Sequence, residues 1–234
     1  MTSSRLPGKV LLPVLKKPLL YYLVKRLKAV RLIDDIVLAT TTNKDDDVLV
    51  DFASSNQIKI FRGSEEDVMN RVIGAAGHAG ADVVVEITGD CPIIDPVIVD
   101  QTIRMFTNND CEYATNAHIR SYPDGMDTQV YFLSVLERSA QLTDDPLDHE
   151  HVTLHIRNHP ELFKTLHLVA PLDQCWPELS LTLDELADYE LIKKIIEYFG
   201  TENELFTCRE AIELLRRNPQ WVEVNRHVRR KGDT

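Results

Sequence analysis

Apolar residues along this chain follow two alternating spacings. Continuous apolar runs of strand length fall at 35–41, 57–61 and 82–88, and between them apolar positions recur every three or four residues, over 16–30, 44–55 and 65–79. Continuous runs predict strands covered on both faces, and the wider spacing predicts amphipathic helices. Strand, helix, strand, helix, strand predicts an α/β fold built on a doubly wound, mostly parallel mixed sheet. Crossovers in such a sheet are right-handed, and ligands bind where strand carboxyl ends open into loops. The second half predicts helices over 96–109, 133–143, 149–157, 184–199 and 207–217, with strands near 112–115, 127–132, 163–169 and 179–183. Pro123-Asp124-Gly125 predicts a tight turn, and residues 143–148 a polar loop. Without a repeat, low-complexity tract or linker, residues 1–234 read as one α/β domain.

Composition narrows the function. The net charge of −11 argues against general nucleic-acid binding. Yet the first 31 residues carry eight bases (Arg5, Lys9, Lys16, Lys17, Lys25, Arg26, Lys28, Arg31) and no acid. A basic segment on an acidic protein suits a compact, multiply charged anion, although Lys25 to Arg31 also fit a solvated helix face. Cysteines 91, 111, 175 and 208 form no CxxC pair and read as free thiols of a reducing compartment. No segment approaches 18 apolar residues, so the expectation is a cytoplasmic protein without a membrane span.

Four elements can carry chemistry. In the opening loop, Ser3-Ser4-Arg5-Leu6-Pro7-Gly8-Lys9, two cations flank a Pro-Gly pair. Proline fixes one φ and glycine lets backbone approach a ligand, so this loop can cradle phosphate oxygens, as can many ordinary surface turns. In Thr88-Gly89-Asp90-Cys91-Pro92, Asp90 lies just past a strand end, where it could hold Mg²⁺ or cap its own Asx turn. In Leu181-Thr182-Leu183-Asp184-Glu185, Asp184 is either a helix N-cap or a second metal ligand. In Phe61-Arg62-Gly63-Ser64-Glu65-Glu66-Asp67, Ser64 and Asp67 are close to a capping box, while Arg62 and Ser64 could contact a base or ribose. The run His149-Glu150-His151-Val152-Thr153-Leu154-His155 puts His151 and His155 four apart, which is compatible with zinc but better read as a helix face lining a pocket.

Taken in order, these motifs together with Tyr122-Pro123-Asp124-Gly125-Met126-Asp127, Glu150-His151-Val152-Thr153 and the tail Asn225-Arg226-His227-Val228 resemble the spore coat polysaccharide biosynthesis protein F family. That family belongs to the cytidylyltransferases that include the CMP-sialic acid and CMP-Kdo synthetases. The resemblance covers nearly the whole chain and implies a nucleotide-diphospho-sugar transferase type of fold. It implies CTP and an acidic sugar as substrates, Mg²⁺ as cofactor and a homodimer, with surface polysaccharide as the end use. Arg5 and Lys9 would neutralise the triphosphate, with Ser3, Ser4 and Gly8 in the same loop. Arg62, Ser64 and Thr88 would lie near the cytosine and ribose. Asp90 and Asp184 would hold Mg²⁺, and Asp124, Gly125, Glu150 and His151 would line the acceptor-sugar side. Residues 110–170 would serve acceptor binding and dimerisation, and 225–234 a basic tail.

Two departures accompany the resemblance. Family members place a hydrophobic strand, central in the sheet, before the segment that opens this chain, and Glu86 stands where relatives have a basic residue. The competing expectations are a transferase of the same fold using another nucleotide or a nucleotide sugar, and an inactive homologue that only binds.

Overall fold

The structure, a computed structural model, describes Met1 and residues 5–229. It opens with a two-residue hairpin, β1 (Pro13–Val14) against β2 (Lys17–Pro18), before helix α1 (Leu19–Leu27). Residues 16–30 are therefore not one helix. Leu15 and Lys16 take positive φ to close the hairpin, and Pro18, in extended conformation, is the N-cap of α1. Strand β3 (Val37–Thr41), α2 (Asp47–Ser55), β4 (Lys59–Gly63), α3 (Val68–Ala79) and β5 (Val83–Glu86) then follow in the predicted alternation. Helix α3 starts later than the capping-box reading of Ser64 requires. Asp67 is its N-cap, accepting the Asn70 N–H, and the Ser64 hydroxyl accepts the Asp67 N–H.

The second half holds α4 (Pro96–Thr107), β6 (Tyr113–Thr115), β7 (Gln129–Phe132), α5 (Leu133–Leu142), α6 (Pro146–Glu150), α7 (Leu154–Asn158), β8 (Thr165–His167), α8 (Leu186–Phe199), α9 (Cys208–Arg217) and α10 (Pro219–Val222). Two expectations fail here. The helix expected over 149–157 is broken, because His151 ends α6 and Val152 has φ 53°. The strand expected at 179–183 is reduced to a single parallel bridge, Asp124 to Ser180.

Strands β3 and β4 pair in parallel, and β5-β7-β6-β8 form a second sheet in which β7 alone runs against its neighbours. The sheet is thus mixed and mostly parallel. No ladder joins β3 to β5 among the described residues, so each keeps one edge without a strand partner.

Helix α1 links two cores. Leu19 and Tyr22 pack with Leu181, Leu183, Ile192 and Ile195, while Leu20 and Leu23 pack with Ile94, Val99 and Val130. Between them Arg26, only 1% exposed, donates to the carbonyls of Ile94 (3.2 Å) and Phe206 (2.9 Å) and lies 4.1 Å from the Phe206 ring centroid. Burial lowers its pKa to about 10, against the raising charges of Asp95 and Glu210. One guanidinium thus ties α1 to the loop after β5 and to the start of α9. Arg26→Ala should cost roughly 3 kcal/mol, because two carbonyls lose their donor and a cavity opens. Urea unfolding of wild type and variant measures that cost.

Candidate active site

The basic opening loop reaches its acidic partners through one left-handed residue. Gly8, at φ 67°, starts a single 3₁₀ turn over Lys9–Leu11, and its N–H donates to the Met1 carbonyl at 3.2 Å. Left-handed backbone favours glycine, and a Cβ here would come within 3.1 Å of the Met1 Cε. From this turn the Lys9 ammonium lies 3.1 Å from Asp90 Oδ2 and 3.0 Å from Asp184 Oδ1. Arg5 reaches the same Asp184 oxygen at 2.8 Å and donates to the Arg229 carbonyl. Residues 5, 9, 90 and 184 therefore converge on one point. Ser3 and Ser4 lie outside the described residues, as do residues 230–234 of the basic tail.

Local backbone bonds hold this convergence. Asp90 follows β5, and its carbonyl accepts from Leu183 N–H at 2.8 Å and the Thr182 hydroxyl at 3.3 Å. The strand carrying one carboxylate is thereby fastened to the segment carrying the other. Asp90 aims its carboxylate at Lys9 rather than capping its own loop. Asp184 is not a helix cap either. Glu185 is the N-cap of α8, and buried Asp188 accepts the Asp184 and Glu185 N–H groups at 3.0 and 2.8 Å. Asn225 donates to Asp188 at 2.8 Å and to the Ser180 carbonyl at 3.0 Å. Gly125, at φ 94°, lets the 122–127 turn press on this segment, since a Cβ there would lie 2.6 Å from the Leu181 carbonyl carbon.

Burial alone would lower the Lys9 pKa, but Asp90 and Asp184 outweigh it and raise it. Two carboxylates this close would repel each other without a cation between them. Their oxygens are the hard donors that Mg²⁺ takes, and Mg²⁺ commonly uses one or two carboxylates and completes its shell with water and substrate phosphates. The donor set fits the ion, although no group of three metal-binding side chains occurs among the described residues.

The other candidates divide. Asp124 joins the site's edge, bonded through its backbone to Leu179 and Leu181 and lying 3.5 Å from Arg120. Arg62 is committed elsewhere, to the Thr41 and Asn43 carbonyls and Asp47 at 2.7–2.8 Å, and so braces the loop after β3. Thr88 Oγ1 lies 3.2 Å from the Cys91 sulfur. Glu150 is the last residue of the short helix α6, and His151 is its C-cap. Nor do the histidines form a zinc face. His149 bonds Asp67 at 2.9 Å, His155 bonds Ser139 at 3.1 Å, and the break at Val152 parts His151 from His155. A surface groove of about 510 Å³ beside the start of α4 contains none of these residues, and its Asp100 already accepts the Arg31 and Leu32 N–H groups.

Sequence reasoning did not single out Asp188, Arg120 or Arg157, and it quoted Asp127 and Asn225 only within motifs, without a role. Asp188, at the third position of α8, and Asp127, three residues past Asp124, had a readable spacing; Arg157 had none. Burial drives Asp127 up to about 6, opposed by Arg120 at 3.2 Å. Glu86, which accepts from the Tyr131 hydroxyl at 2.7 Å, is pushed by burial up to about 7. The unfolded chain would release that proton near 4.5, so the folded state binds it more tightly and loses stability as pH rises from 4.5 to 7. Glu86→Gln should therefore raise the melting temperature relative to wild type at pH 8 but not at pH 4, as scanning calorimetry would show.

Comparison with known proteins assigns the chain to a family. A sequence profile of the cytidylyltransferase family matches residues 1–220. The chain is 33% identical over 230 residues to an uncharacterized protein of Methanocaldococcus jannaschii, covering 98% of this chain and 93% of that one. It is 35% identical over 226 residues to the spore coat polysaccharide biosynthesis protein SpsF of Bacillus subtilis, covering 94% and 92%. A solved cytidylyltransferase from Leptospira borgpetersenii superposes with a TM-score of 0.90 at 31% identity, over 99% of this chain and 95% of that one. A CMP:2-keto-3-deoxy-manno-octonic acid synthetase solved with CTP shares the fold, with a TM-score of 0.59 at 18% identity over 85% and 95%. A profile match over residues 1–220 and two relatives above 30% identity over nearly the whole chain make this protein a member of the cytidylyltransferase family, a nucleotidyltransferase.

Proposed function

We propose that this protein transfers CMP from CTP to a hydroxyl of an acidic sugar, with Mg²⁺ held by Asp90 and Asp184. The observation that carries the reading is the Lys9 ammonium shared between those two carboxylates at the end of β5. Two cations and two carboxylates are already gathered there, so a triphosphate meets positive charge while a metal meets oxygen donors.

Lys9 and Arg5 neutralise the phosphate oxygens, and the loop from Arg5 to Lys9 fixes where the triphosphate lies. The acceptor hydroxyl attacks the α-phosphorus in line, a new P–O bond forms, and the bond to the β-phosphate oxygen breaks to release pyrophosphate. When bound by Asp90 and Asp184, Mg²⁺ would supply charge neutralisation for the departing pyrophosphate. The protein contributes mainly positioning and electrostatics, and no serine, cysteine or histidine nucleophile is required. The acidic-sugar acceptor is supported by relatives such as the 3-deoxy-manno-octulosonate cytidylyltransferase of Geobacter sulfurreducens, which matches 46% of this chain at 27% identity.

Incubation with each nucleoside triphosphate, Mg²⁺ and a panel of sugar acids, followed by pyrophosphate release, tests the reading. CTP-selective release is expected, and Asp90→Asn should lower it at least about a hundredfold with an unchanged circular dichroism spectrum. Release with UTP or GTP alone would move the activity to another nucleotide. Undiminished release from Asp90→Asn would remove the metal assignment.

A further inference from the structure

The four-stranded sheet carries a polar row across one of its faces. Backbone register aligns Glu86 of β5, Gln129 of β7, Thr115 of β6 and His167 of β8 side by side. Directly opposed residues point to the same face, and here that face is covered by α7 and the segment before it. The Tyr113 hydroxyl donates to Gln129 Oε1 at 2.7 Å and the Thr153 hydroxyl donates to the same oxygen, while Tyr131 donates to Glu86. Buried tyrosines and threonines thus fix the orientation of the row.

One group near this row is left over. Arg157 of α7 lies one turn beyond Thr153, to whose carbonyl its N–H donates at 3.0 Å, and its charge is felt by Glu86, Asp127 and Tyr113. Its buried Nε has no acceptor among the described residues, and no ion pair of its side chain occurs among them. The neighbouring cations are engaged: Arg120 with Asp124 and Asp127, Lys9 with Asp90 and Asp184. A partly buried guanidinium without an acceptor is costly to keep, and five N–H donors in a planar fork suit a carboxylate taken end-on by two of them. The row also borders the reaction centre, because Asp127, two residues before Gln129, shares Arg120 with Asp124, whose backbone bonds Leu179 and Leu181 of the segment leading to Asp184.

We propose that Arg157 is the anchor for the acceptor's carboxylate, pairing with it over the polar row that Gln129 and Thr153 build. This rests on the acidic-sugar reading above. Asp127, and Glu86 whose carboxyl burial raises to about 7, are the acids nearest this guanidinium, so an acid enters only by engaging Arg157 directly. They also offer acceptors for the sugar's hydroxyls once the carboxylate is seated. Selection for an acid is thereby a property of one side chain on α7, distant in sequence from the loops that hold the nucleotide.

The test compares wild type, Arg157→Gln and Arg157→Lys. With CTP, Mg²⁺ and 2-keto-3-deoxy sugar acids, Arg157→Gln should raise the acceptor KM at least tenfold and leave the KM for CTP within about twofold. Arg157→Lys, which keeps the charge but not the fork, should fall between. Circular dichroism and melting temperature confirm that the variants fold. An unchanged acceptor KM, or a loss expressed only in the KM for CTP, would overturn the anchor while leaving nucleotidyl transfer standing. So would wild-type use of neutral sugars with no preference for acids. If wild type releases no pyrophosphate with any combination, the proposed function fails and equilibrium dialysis with labelled 3-deoxy-manno-octulosonate decides the anchor separately. Binding by wild type that weakens at least tenfold in Arg157→Gln supports it; equal binding, or none by wild type, overturns it.

Discussion

Everything at this site depends on one ammonium held between two carboxylates. Lys9 comes from the first turn of the chain, Asp90 from the end of β5, and Asp184 from the residue before the α8 cap. Three stretches separated by 81 and 175 residues meet at a point where removing any partner leaves like charges or an unpaired ion. Partly buried pairs of this kind are weak as stabilisers but strict as positioning devices. The fold around them is arranged to keep them in place. Asp188 and Asn225 hold the Asp184 backbone, Leu183 and Thr182 hold Asp90, and Arg26 ties the loop after β5 to α1 and α9.

The fold was legible where burial on both faces wrote a long signal. The runs ending near Thr41 and Glu86 gave β3 and β5, and helices α3, α4, α8 and α9 appeared where the apolar spacing set them. It was less legible where backbone conformation departs locally from periodicity. Positive φ at Leu15, Lys16 and Val152 shortened one helix and split another, and none of those residue types signals a left-handed position. The segment at 179–183 looked like a strand because its leucines are fully buried, yet its backbone is spent on Asp124 and Asp90 rather than on a ladder.

The site divides in the same way. Arg5, Lys9, Asp90 and Asp184 were visible as charged residues beside turns and strand ends, and their adjacency came only with the fold. Arg62 and Ser64 were read toward the nucleotide, but their groups bind backbone nearby. Arg157 carried no sequence signal because its meaning is an absence of partners, which only three-dimensional packing reveals. The charged centre of Arg5, Lys9, Asp90 and Asp184 and the polar row under α7 are thus built from separate parts of the chain.

If Lys9 occupies the place a divalent cation would otherwise take in the nucleotide-free protein, it competes with that cation. Titration of Mn²⁺ into nucleotide-free wild type and Lys9→Met, followed by electron paramagnetic resonance, measures this directly. Loss of the ammonium should tighten Mn²⁺ binding by about tenfold, equivalent to ~1.4 kcal/mol. Equal or weaker binding by Lys9→Met would show that Asp90 and Asp184 do not form a cation site gated by this lysine.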